Sequence, residues 1–169
     1  ILAPGPELKQ VQRTVLRRVL GKLKAHPAAV GFERGHSIAT HARFHSRAAI
    51  VVRVDIRDFF SSTTTERVEA YFGRSGWDRA ATSALTRLCT FEGGLPQGAP
   101  TSPRLSNLVN YRMDARLSAV AAKHGARYSR YADDITFSLG REGEGQIGRP
   151  NALVGVTRLV LEDYGYRLH

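Results

Sequence analysis

The apolar positions near the start of the chain recur at the spacing of an amphipathic helix. The side chains on this face are Leu8, Val11, Val15, Val19 and Leu23. The opposite face carries Lys9, Arg13, Arg17, Lys22 and Lys24. An apolar stripe with a charged opposite face is typical of a helix that packs along one side. We therefore predict a helix from Glu7 to Ala25.

The middle of the chain combines one strand pattern with three helix patterns. Ile50 to Ile56 is β-branched and bounded by polar clusters, which predicts a buried strand. Thr63 and Glu66 have the spacing of a capping box, and Ser102-Pro103 is suited to begin a helix after a Gly/Pro-rich loop. The predicted helices extend from that capping box to about Phe72, from Asp78 to Phe91 and from Arg104 to Lys123.

The last third of the chain predicts a hairpin and a final helix. Two short strands are expected within Arg127 to Ser138, meeting at Asp133-Asp134. A glycine-rich segment from Arg141 to Pro150 predicts a flexible connection, and a helix from Ala152 to Tyr164 should end at Gly165. These elements predict an α+β fold, in which helices cover one face of an antiparallel sheet.

Composition limits the classes to which the chain can belong. Hydrophobic residues make up 42% and charged residues 24%, which is ordinary for a globular domain. No apolar run approaches the roughly 20 residues that a membrane span needs. The single Cys89 excludes a disulfide within the chain and a Cys-rich zinc site. We therefore expect a cytoplasmic protein without membrane attachment.

The net charge of +10 points to a polyanionic partner. Arginine dominates the 25 basic residues, and its planar fork matches phosphate oxygens in pairs. Nucleic acid is therefore the expected partner. A GC-rich genome would also favour arginine over lysine without any functional cause.

Two adjacent aspartates at a strand turn are unusual in so basic a chain. Asp133 and Asp134 repel each other, and aspartate is disfavoured in strands, so a positive group is expected beside them. A solvated hairpin tip would also accommodate them. Asp55 favours a bound positive group over a solvated tip, because a carboxylate in an otherwise apolar strand would be costly without a partner.

A sheet can bring Asp55 beside the Asp133-Asp134 hairpin, so that three carboxylates converge. Hard oxygen ligands of this kind suit Mg²⁺. Two such ions about 4 Å apart can activate a primer hydroxyl and stabilise the leaving pyrophosphate in an in-line displacement. The sequence therefore predicts polymerase chemistry at the hairpin.

A third segment, Gly94 to Pro103, is a loop whose glycines and prolines fix its shape and expose backbone amides to a base pair or nucleotide. Taken with the two acidic segments, it resembles the reverse transcriptase family. Val54–Phe60 is similar to the first catalytic motif, Leu95–Gly98 to the loop under the incoming nucleotide, and Tyr131–Asp134 to the Tyr-x-Asp-Asp box. The resemblance covers nearly the whole chain.

The resemblance implies roles for the residues around the first catalytic motif. Asp55, Asp133 and Asp134 would be the catalytic carboxylates that hold the metals, and the Ile56 carbonyl would be a further ligand. The backbone amides of Asp58 and Phe59 would contact the triphosphate.

Further roles concern the nucleotide and the primer. Phe60 would be the steric gate that excludes a ribose 2′-hydroxyl, and Gln97 would contact the nucleotide or the template base pair. Tyr131, Ala132 and Gly98 would lie against the primer and template. Phe60, like its neighbour Phe59, could instead be a core aromatic.

Two stretches resemble the retron type within this family, namely Gly31–Ile38 and Gln97–Asn107. Retron enzymes also tend to carry Asn-Ala-x-x-His before the first catalytic motif. Here His41-Ala42-Arg43-Phe44-His45 has His in place of that Asn. The resemblance places His36, His41 and His45 in a structural or RNA-facing loop rather than in a metal cluster.

The retron resemblance implies an RNA-directed DNA polymerase that adds deoxynucleotides to a primer 3′- or 2′-hydroxyl with two Mg²⁺ ions, for which Mn²⁺ could substitute. Its partners would be an RNA template and primer, nascent DNA, deoxynucleoside triphosphates and a cognate structured non-coding RNA. The product would be RNA-linked single-stranded DNA made in antiphage defence. Two alternatives remain open: a group II intron or other defence-associated bacterial reverse transcriptase, and a catalytically inactive RNA-binding scaffold.

The same resemblance predicts where the chain lies within a larger enzyme. Residues 1–49 would be part of the fingers and residues 50–169 the palm, all within one reverse transcriptase domain. Both ends would be truncated, so that the thumb and the basic fingertip residues that clamp the triphosphate would be absent.

Overall fold

The computed structural model describes residues 3–141 and 150–169, apart from the side chain of Arg141. The helices in chain order are α1 (Pro6–Arg18), α2 (Ile38–Phe44), α3 (Thr65–Arg74), α4 (Arg79–Cys89), α5 (Ser102–Val109), α6 (Tyr111–Lys123) and α7 (Pro150–Asp163). The strands are β1 (Ala48–Asp55), β2 (Ala126–Tyr131) and β3 (Asp134–Arg141). These elements form two compact units.

The first unit consists of the described residues of Ile1–Ala25 together with Asp58–Asn110, and it is helical. Helices α1, α3, α4 and α5 surround one apolar core. Its buried members are Val15, Leu20, Val68, Phe72, Cys89, Leu95, Leu105, Leu108 and Val109. The amide of Gln12 donates to the Leu88 carbonyl at 2.7 Å, which ties α1 to α4.

The predicted helix from Glu7 to Ala25 is too long, since α1 ends at Arg18 and a single 3₁₀ turn follows from Leu20 to Lys22. This turn buries Leu20 completely and presents the Leu20 and Leu23 carbonyls to the guanidinium of Arg104. The apolar spacing continues through the change of helix type because both halves pack on the same core. Periodicity alone therefore gave the wrong end.

The predicted helix from Arg104 to Lys123 is two helices, interrupted at Asn110. The Asn110 side chain donates to the Ser106 carbonyl at 2.8 Å and accepts from Arg67 at 2.6 Å. A side chain that bonds the preceding turn competes with continuation of the helix. Apolar residues recur on both sides of the break, so the sequence pattern hides it.

The starts of α3, α4 and α5 were predicted close to their observed positions but partly with the wrong cap. Asp78 caps α4 by accepting from the Ala81 amide at 2.8 Å. Helix α3 forms as expected, but Thr64 is its N-cap and makes no side-chain capping bond. Ser102 is the first residue of α5 rather than its cap, and its hydroxyl donates to the Pro96 carbonyl at 2.7 Å.

The second unit consists of His26–Arg57 and the described residues of Tyr111–His169, and it is built on a three-stranded antiparallel sheet in the order β1-β3-β2. Side chains alternate between the two faces of a strand. Ile135, Phe137 and Leu139 of β3 are buried on one face, where α6 contacts β2, and α7 contacts α6 and β1. The α+β class with helices on an antiparallel sheet is confirmed.

The opposite face of the same sheet is polar. Asp134, Thr136 and Ser138 alternate along β3 with the apolar set, and β1 contributes Arg53 and Asp55 by the same rule. Helix α2 contacts β2 and shields part of this face. The face that carries the predicted catalytic aspartates is therefore the face that α6 and α7 leave uncovered.

Both strands of the predicted hairpin and the final helix are confirmed, and Gly165 follows α7 with a φ of 75°. The flexible connection predicted from Arg141 to Pro150 lies almost wholly outside the described residues. Within residues 3–141 and 150–169, no helix combines the length and apolar character needed to cross a bilayer. The division into fingers (1–49) and palm (50–169) stays a prediction.

Candidate active site

Three of the predicted site residues meet at one end of the sheet. Asp55, the last residue of β1, is the direct antiparallel partner of Asp134, the first residue of β3. Tyr131, the last residue of β2, pairs with Asp134 from the other side. The backbone amide of Ile56 donates to the Asp133 carbonyl at 3.1 Å, which fixes the end of β1 against the turn.

The turn between β2 and β3 consists of Ala132 and Asp133 alone. Ala132 has a φ of 58°, a left-handed conformation that costs a residue with a Cβ about 1 kcal/mol or more. A buried guanidinium offsets this cost, because Arg130 donates to the Ala132 carbonyl at 2.7 Å. Strain of this kind is often found where a side chain must be aimed for function.

A parallel backbone segment holds the turn from its other side. The Val30 amide donates to the Arg130 carbonyl at 2.8 Å, and the Arg130 amide donates to the Ala28 carbonyl at 2.7 Å. Gly31 follows and lies so close that a Cβ there would be 2.4 Å from the Ala132 nitrogen. Sequence analysis did not identify this glycine as a requirement of the turn.

Arg130 is the largest fully buried side chain of the chain's described part, and it lies on the helix side of the sheet. Its guanidinium donates to both carboxylate oxygens of Asp114 on α6, at 2.8 and 2.7 Å. The Tyr128 hydroxyl donates to the same carboxylate at 2.7 Å. Burial raises the pKa of Tyr128, and the neighbouring Asp114 raises it further, so the phenol stays protonated. The sequence offered a weak signal only, an arginine at an inward-facing strand position.

The electrostatics of the aspartate cluster show that its members interact. The pKa of Asp55 is raised first by burial and then by the charges of Asp133 and Asp134, while His169 and Arg53 act in the opposite direction. Three carboxylates in mutual repulsion present the hard oxygen donors that suit a divalent cation. The chemistry of the donor set thus fits a metal site.

The types of side chain at this cluster suit a metal ion, but their positions do not form a complete metal site. Arg53, at the β1 position two residues before Asp55, donates from Nε and Nη2 to the two carboxylate oxygens of Asp134 at 2.7 and 2.6 Å. Across the part of the chain that the structure describes, no group of three or more His, Cys, Asp or Glu side chains is gathered as a metal site. Asp134 is engaged by a cation of the protein itself.

Helix α2 brings two histidines to the polar face of the sheet. His45 is buried, with Nδ1 2.9 Å from the Ser138 hydroxyl and Nε2 2.7 Å from the Ser129 hydroxyl. Burial, His41 and Arg127 together lower the pKa of His45 to about 4, so this imidazole is neutral. The segment predicted as a loop is helical here, since His41 lies within α2 and His45 caps its end.

A cavity of about 580 Å³ opens between α2 and the aspartate turn. Its lining includes His41, Arg53, Tyr131, Asp133 and Asp134. The His41 ring lies on Tyr131 with 5.7 Å between centroids, and its Nε2 is buried without a hydrogen-bond partner. The cavity is thus lined both by Asp133 and Asp134 and by the rings of His41 and Tyr131.

The last residues of the chain pair with the backbone around Asp55, which sequence analysis missed. The His169 amide donates to the Asp55 carbonyl at 3.0 Å, and the Arg57 amide donates to the Arg167 carbonyl at 2.9 Å. Ile56 is 1% exposed and forms an isolated bridge with Leu168. The segment after α7 therefore pairs with the end of β1 that carries Asp55.

The remaining predicted site residues lie in the first unit, where the turn after β1 meets the Gly/Pro loop. The Leu95 amide donates to the Phe60 carbonyl at 3.2 Å. Phe59 is 3% exposed and belongs to the interior, whereas Phe60 is half-buried against the helical core. Asp58 precedes them with a φ of 50°. Gln97 and Gly98 are exposed on the loop.

Residues 3–167 match the family described as "Reverse transcriptase (RNA-dependent DNA polymerase)". The chain belongs to the reverse transcriptase family. Members of this family generally use divalent metals, and binding of an RNA template is a family property. The aspartate cluster at the hairpin lies within the matched residues.

Curated relatives of this reverse transcriptase chain are retron enzymes. The chain is 42% identical over 138 residues to the retron Ec86 reverse transcriptase of Escherichia coli, covering 82% of this chain and 43% of that protein. It is 40% identical over 192 residues to the retron Mx162 reverse transcriptase of Myxococcus xanthus, covering 100% of this chain and 40% of that protein. The chain thus spans less than half the length of either relative.

Solved structures support the reverse transcriptase fold independently of sequence. Telomerase from Candida albicans, in complex with a fragment of telomeric RNA, superposes with a TM-score of 0.59 at 10% identity, covering 96% of this chain and 34% of that one. Apo telomerase from Candida tropicalis gives a TM-score of 0.57, also at 10% identity, covering 96% and 38%. At this identity the likeness concerns the fold alone.

Proposed function

We propose that the protein is an RNA-directed DNA polymerase of the retron type, with its catalytic centre at the hairpin between β2 and β3. The observation that carries this proposal is the register that sets Asp55 directly opposite Asp134, next to Asp133 in a strained two-residue turn. Carboxylates are rarely concentrated at one sheet end without a cation to neutralise them.

The proposed ligands of two Mg²⁺ ions are the carboxylates of Asp55, Asp133 and Asp134, with the Ile56 carbonyl beside them. When bound, such ions lower the pKa of a primer hydroxyl and stabilise the leaving pyrophosphate. The protein's own contribution is to hold these ligands in fixed positions. The ladder bonds of β1 and β3, the Ile56–Asp133 bond and the Arg130–Ala132 bond all serve this purpose.

The turn Asp58–Phe60 and the loop residue Gln97 are proposed to bind the nucleotide, and Gly98 is proposed to contact the primer and template. The backbone amides of Asp58 and Phe59 would contact the triphosphate, and Phe60 would exclude a ribose 2′-hydroxyl. The half-buried position of Phe60 leaves part of its ring outside the core, as such a gate requires. Tyr131 and Ala132 would lie at the primer end.

The proposed partners are a primed RNA template, nascent DNA, deoxynucleoside triphosphates and a cognate structured non-coding RNA. The net charge of +10 supports a polyanionic partner. The retron names of the relatives favour a retron over a group II intron enzyme. RNA-linked single-stranded DNA made in antiphage defence is the product that this type implies, and the cytoplasm is the proposed location.

Primer extension by the complete protein tests the proposal. Asp55→Asn and Asp133→Asn should each abolish DNA synthesis on primed RNA with Mg²⁺, while RNA affinity stays close to that of the wild type because phosphate contacts come from basic residues. Asp163→Asn is the matched control. Asp163 forms an exposed ion pair with Arg116, so its loss should leave synthesis unchanged.

The same assay separates the alternatives. Synthesis at the wild-type rate by Asp55→Asn or Asp133→Asn would contradict the catalytic assignment. A wild-type protein that binds RNA tightly but makes no DNA with Mg²⁺ or Mn²⁺ would favour the inactive scaffold. Sequencing DNA made in cells would show whether it is joined to a non-coding RNA, as a retron product is.

A further inference from the structure

Arg53 and Asp134 form a forked ion pair at the proposed catalytic centre. Arg53 lies on the polar face of β1 with Thr136 as its strand partner, two positions along the strands from the pair Asp55 and Asp134. Its two donors reach separate oxygens of the Asp134 carboxylate, the geometry in which arginine binds a carboxylate most specifically. No role has yet been assigned to this arginine.

The fork conflicts with the role proposed for Asp134. Both oxygens of this carboxylate accept from Arg53, so they are directed at the guanidinium rather than at a position shared with Asp55 and Asp133. Across the described residues no group of three or more His, Cys, Asp or Glu side chains forms a metal site. A carboxylate has further lone pairs, but a metal shared by Asp134 with Asp55 and Asp133 requires the fork to open.

The exposure of the pair shows that the fork can open. The Arg53 side chain is 68% exposed and that of Asp134 is 24% exposed. Ion pairs in contact with solvent are weak, because water screens the attraction and two side chains lose freedom. A divalent cation that collects three carboxylates gains far more than one exposed arginine does, so it should win the competition.

Arg53 also has a reason to be there when no metal is bound. Its guanidinium lies against Asp134, which is the strand partner of Asp55 and follows Asp133 in the chain. A positive charge at this position offsets repulsion among the three carboxylates.

We propose that Arg53 is the resident counter-cation of the metal-free centre, and that it is exchanged for the metal: the guanidinium leaves Asp134 when a divalent cation binds. This inference rests on the proposed function. It makes Arg53 a positioning residue that lowers the apparent metal affinity. When no metal is bound, Arg53 offsets the repulsion among the aspartates. Metal entry becomes a replacement of one cation by another.

Mn²⁺ binding to the complete protein without nucleic acid provides the first test, measured by calorimetry or by the spin-resonance signal of free Mn²⁺. Arg53→Gln should tighten Mn²⁺ binding by a factor of about two to ten, the range expected when a weak competing ion pair is removed. Arg158→Gln is the matched control, because it removes the same charge from an exposed position on α7. It should leave the Mn²⁺ affinity unchanged.

The second test observes the fork itself. The ¹⁵N–¹H signal of the Arg53 Nε, identified by its loss in Arg53→Gln, should move and broaden towards the position of a solvated arginine as Mg²⁺ is added. Thermal melting of Arg53→Gln should match that of the wild type, since the arginine is exposed. A signal that stays in place at saturating Mg²⁺ would overturn the exchange.

The outcomes distinguish failure of this inference from failure of the proposed function. Equal Mn²⁺ affinity in wild type and Arg53→Gln, with synthesis still abolished by Asp133→Asn, would overturn the exchange and leave the catalytic assignment intact. Equal tightening in Arg53→Gln and Arg158→Gln would reduce the effect to net charge and overturn it as well. Absence of Mn²⁺ binding in every variant would overturn both proposals.

Discussion

Arg130 and Asp114 form a bidentate ion pair in which both side chains are fully buried. The pair joins β2 to α6 on one face of the sheet, and the Nη1 of Arg130 reaches through to the carbonyl of Ala132 in the aspartate turn. Arg130 therefore links the interior of the second unit to the proposed catalytic hairpin. A buried charge keeps this position only while its partner remains.

Removal of one partner of this pair should be severe. Asp114→Leu leaves a guanidinium buried without its counter-ion, which we expect to lower the free energy of unfolding by about 3–5 kcal/mol. The double variant Asp114→Leu/Arg130→Met should recover most of that stability but not DNA synthesis, since Ala132 loses its donor. Denaturant unfolding and primer extension measure the two effects. Full activity in the double variant would show that the Arg130–Ala132 bond is dispensable.

Gly31 should tolerate no side chain. In Gly31→Ala the new Cβ would be 2.4 Å from the Ala132 nitrogen, so the backbone of the aspartate turn has to move. Because a displacement of about 1 Å at a catalytic centre can cost on the order of a hundredfold in rate, we expect DNA synthesis to fall at least that far. Single-turnover extension is the measurement.

Gly155→Ala is the control for this substitution. Gly155 lies within α7, and a Cβ there meets nothing within 4 Å. Alanine should stabilise that helix by about 0.5–1 kcal/mol without changing the rate of synthesis. If Gly31→Ala were as active as Gly155→Ala, the close approach of Gly31 to Ala132 would have no part in catalysis.

The sequence predicted those parts of the fold and site that depend on local pattern. Asp55 stood out because it broke an apolar strand. That strand was predicted as buried, but β1 alternates between half-buried and exposed residues, because its polar face is not covered by α6 and α7. The break at Asn110 remained hidden, since apolar residues recur on both sides of it. Local pattern predicted elements well and their interruptions poorly.

The sequence predicted a positive group beside Asp133 and Asp134, but it did not identify Arg53 as that group or Asp114 as the partner of Arg130. Arg130 and Arg53 are both strand arginines, yet one is fully buried on Asp114 and the other is exposed on Asp134. Nothing in their neighbouring residues distinguishes them, because the partner of each is distant in the sequence. Such pairs depend on the assembled sheet, where register and helix packing decide which carboxylate each guanidinium meets.

His45 should make the second unit sensitive to acid. Its pKa is about 4 in the folded protein and near 6.5 when unfolded, so between these values the unfolded chain binds a proton that the folded chain does not. The stabilisation is complete above about pH 6.5 and is lost as the pH falls towards 4, on the order of 3 kcal/mol in total. Thermal unfolding between pH 4 and 8 measures this loss.

Two variants isolate the contribution of His45. His45→Gln should flatten the acid dependence, although it disturbs the bonds to Ser129 and Ser138 and lowers stability at pH 7. His41→Gln removes a neighbouring ring that lowers the pKa of His45, so the loss of stability should still begin near pH 6.5 but be smaller in total and level off at a higher pH. An unchanged acid profile in His45→Gln would show that other groups govern it.

Phe60 should select deoxynucleotides by shape. The ring is half-buried against the helical core, beside the backbone bond from Leu95 to its carbonyl, so it is held in place while part of it stays accessible. A rigid ring of this kind can exclude a ribose 2′-hydroxyl without any hydrogen bond. Phe60→Val should raise the ratio of ribonucleotide to deoxynucleotide incorporation by about tenfold to a hundredfold, the range that a few atoms of pocket shape can supply.

The difficulty in testing Phe60 is that its ring also packs, so a smaller residue costs stability, and a loosened core could itself reduce selectivity. Phe72→Leu controls for this, because Phe72 is fully buried in the same core and lies outside the predicted nucleotide-binding set. Its truncation should cost about 1 kcal/mol or more of stability and leave the incorporation ratio unchanged.

Steady-state incorporation of matched ribo- and deoxynucleotides, together with unfolding curves for both variants, separates the two effects. Should both variants shift the ratio equally, core packing would be the cause and the gate would lie elsewhere. If the incorporation ratio changes in Phe60→Val and not in Phe72→Leu, the position of the Phe60 ring explains the selection of deoxynucleotides.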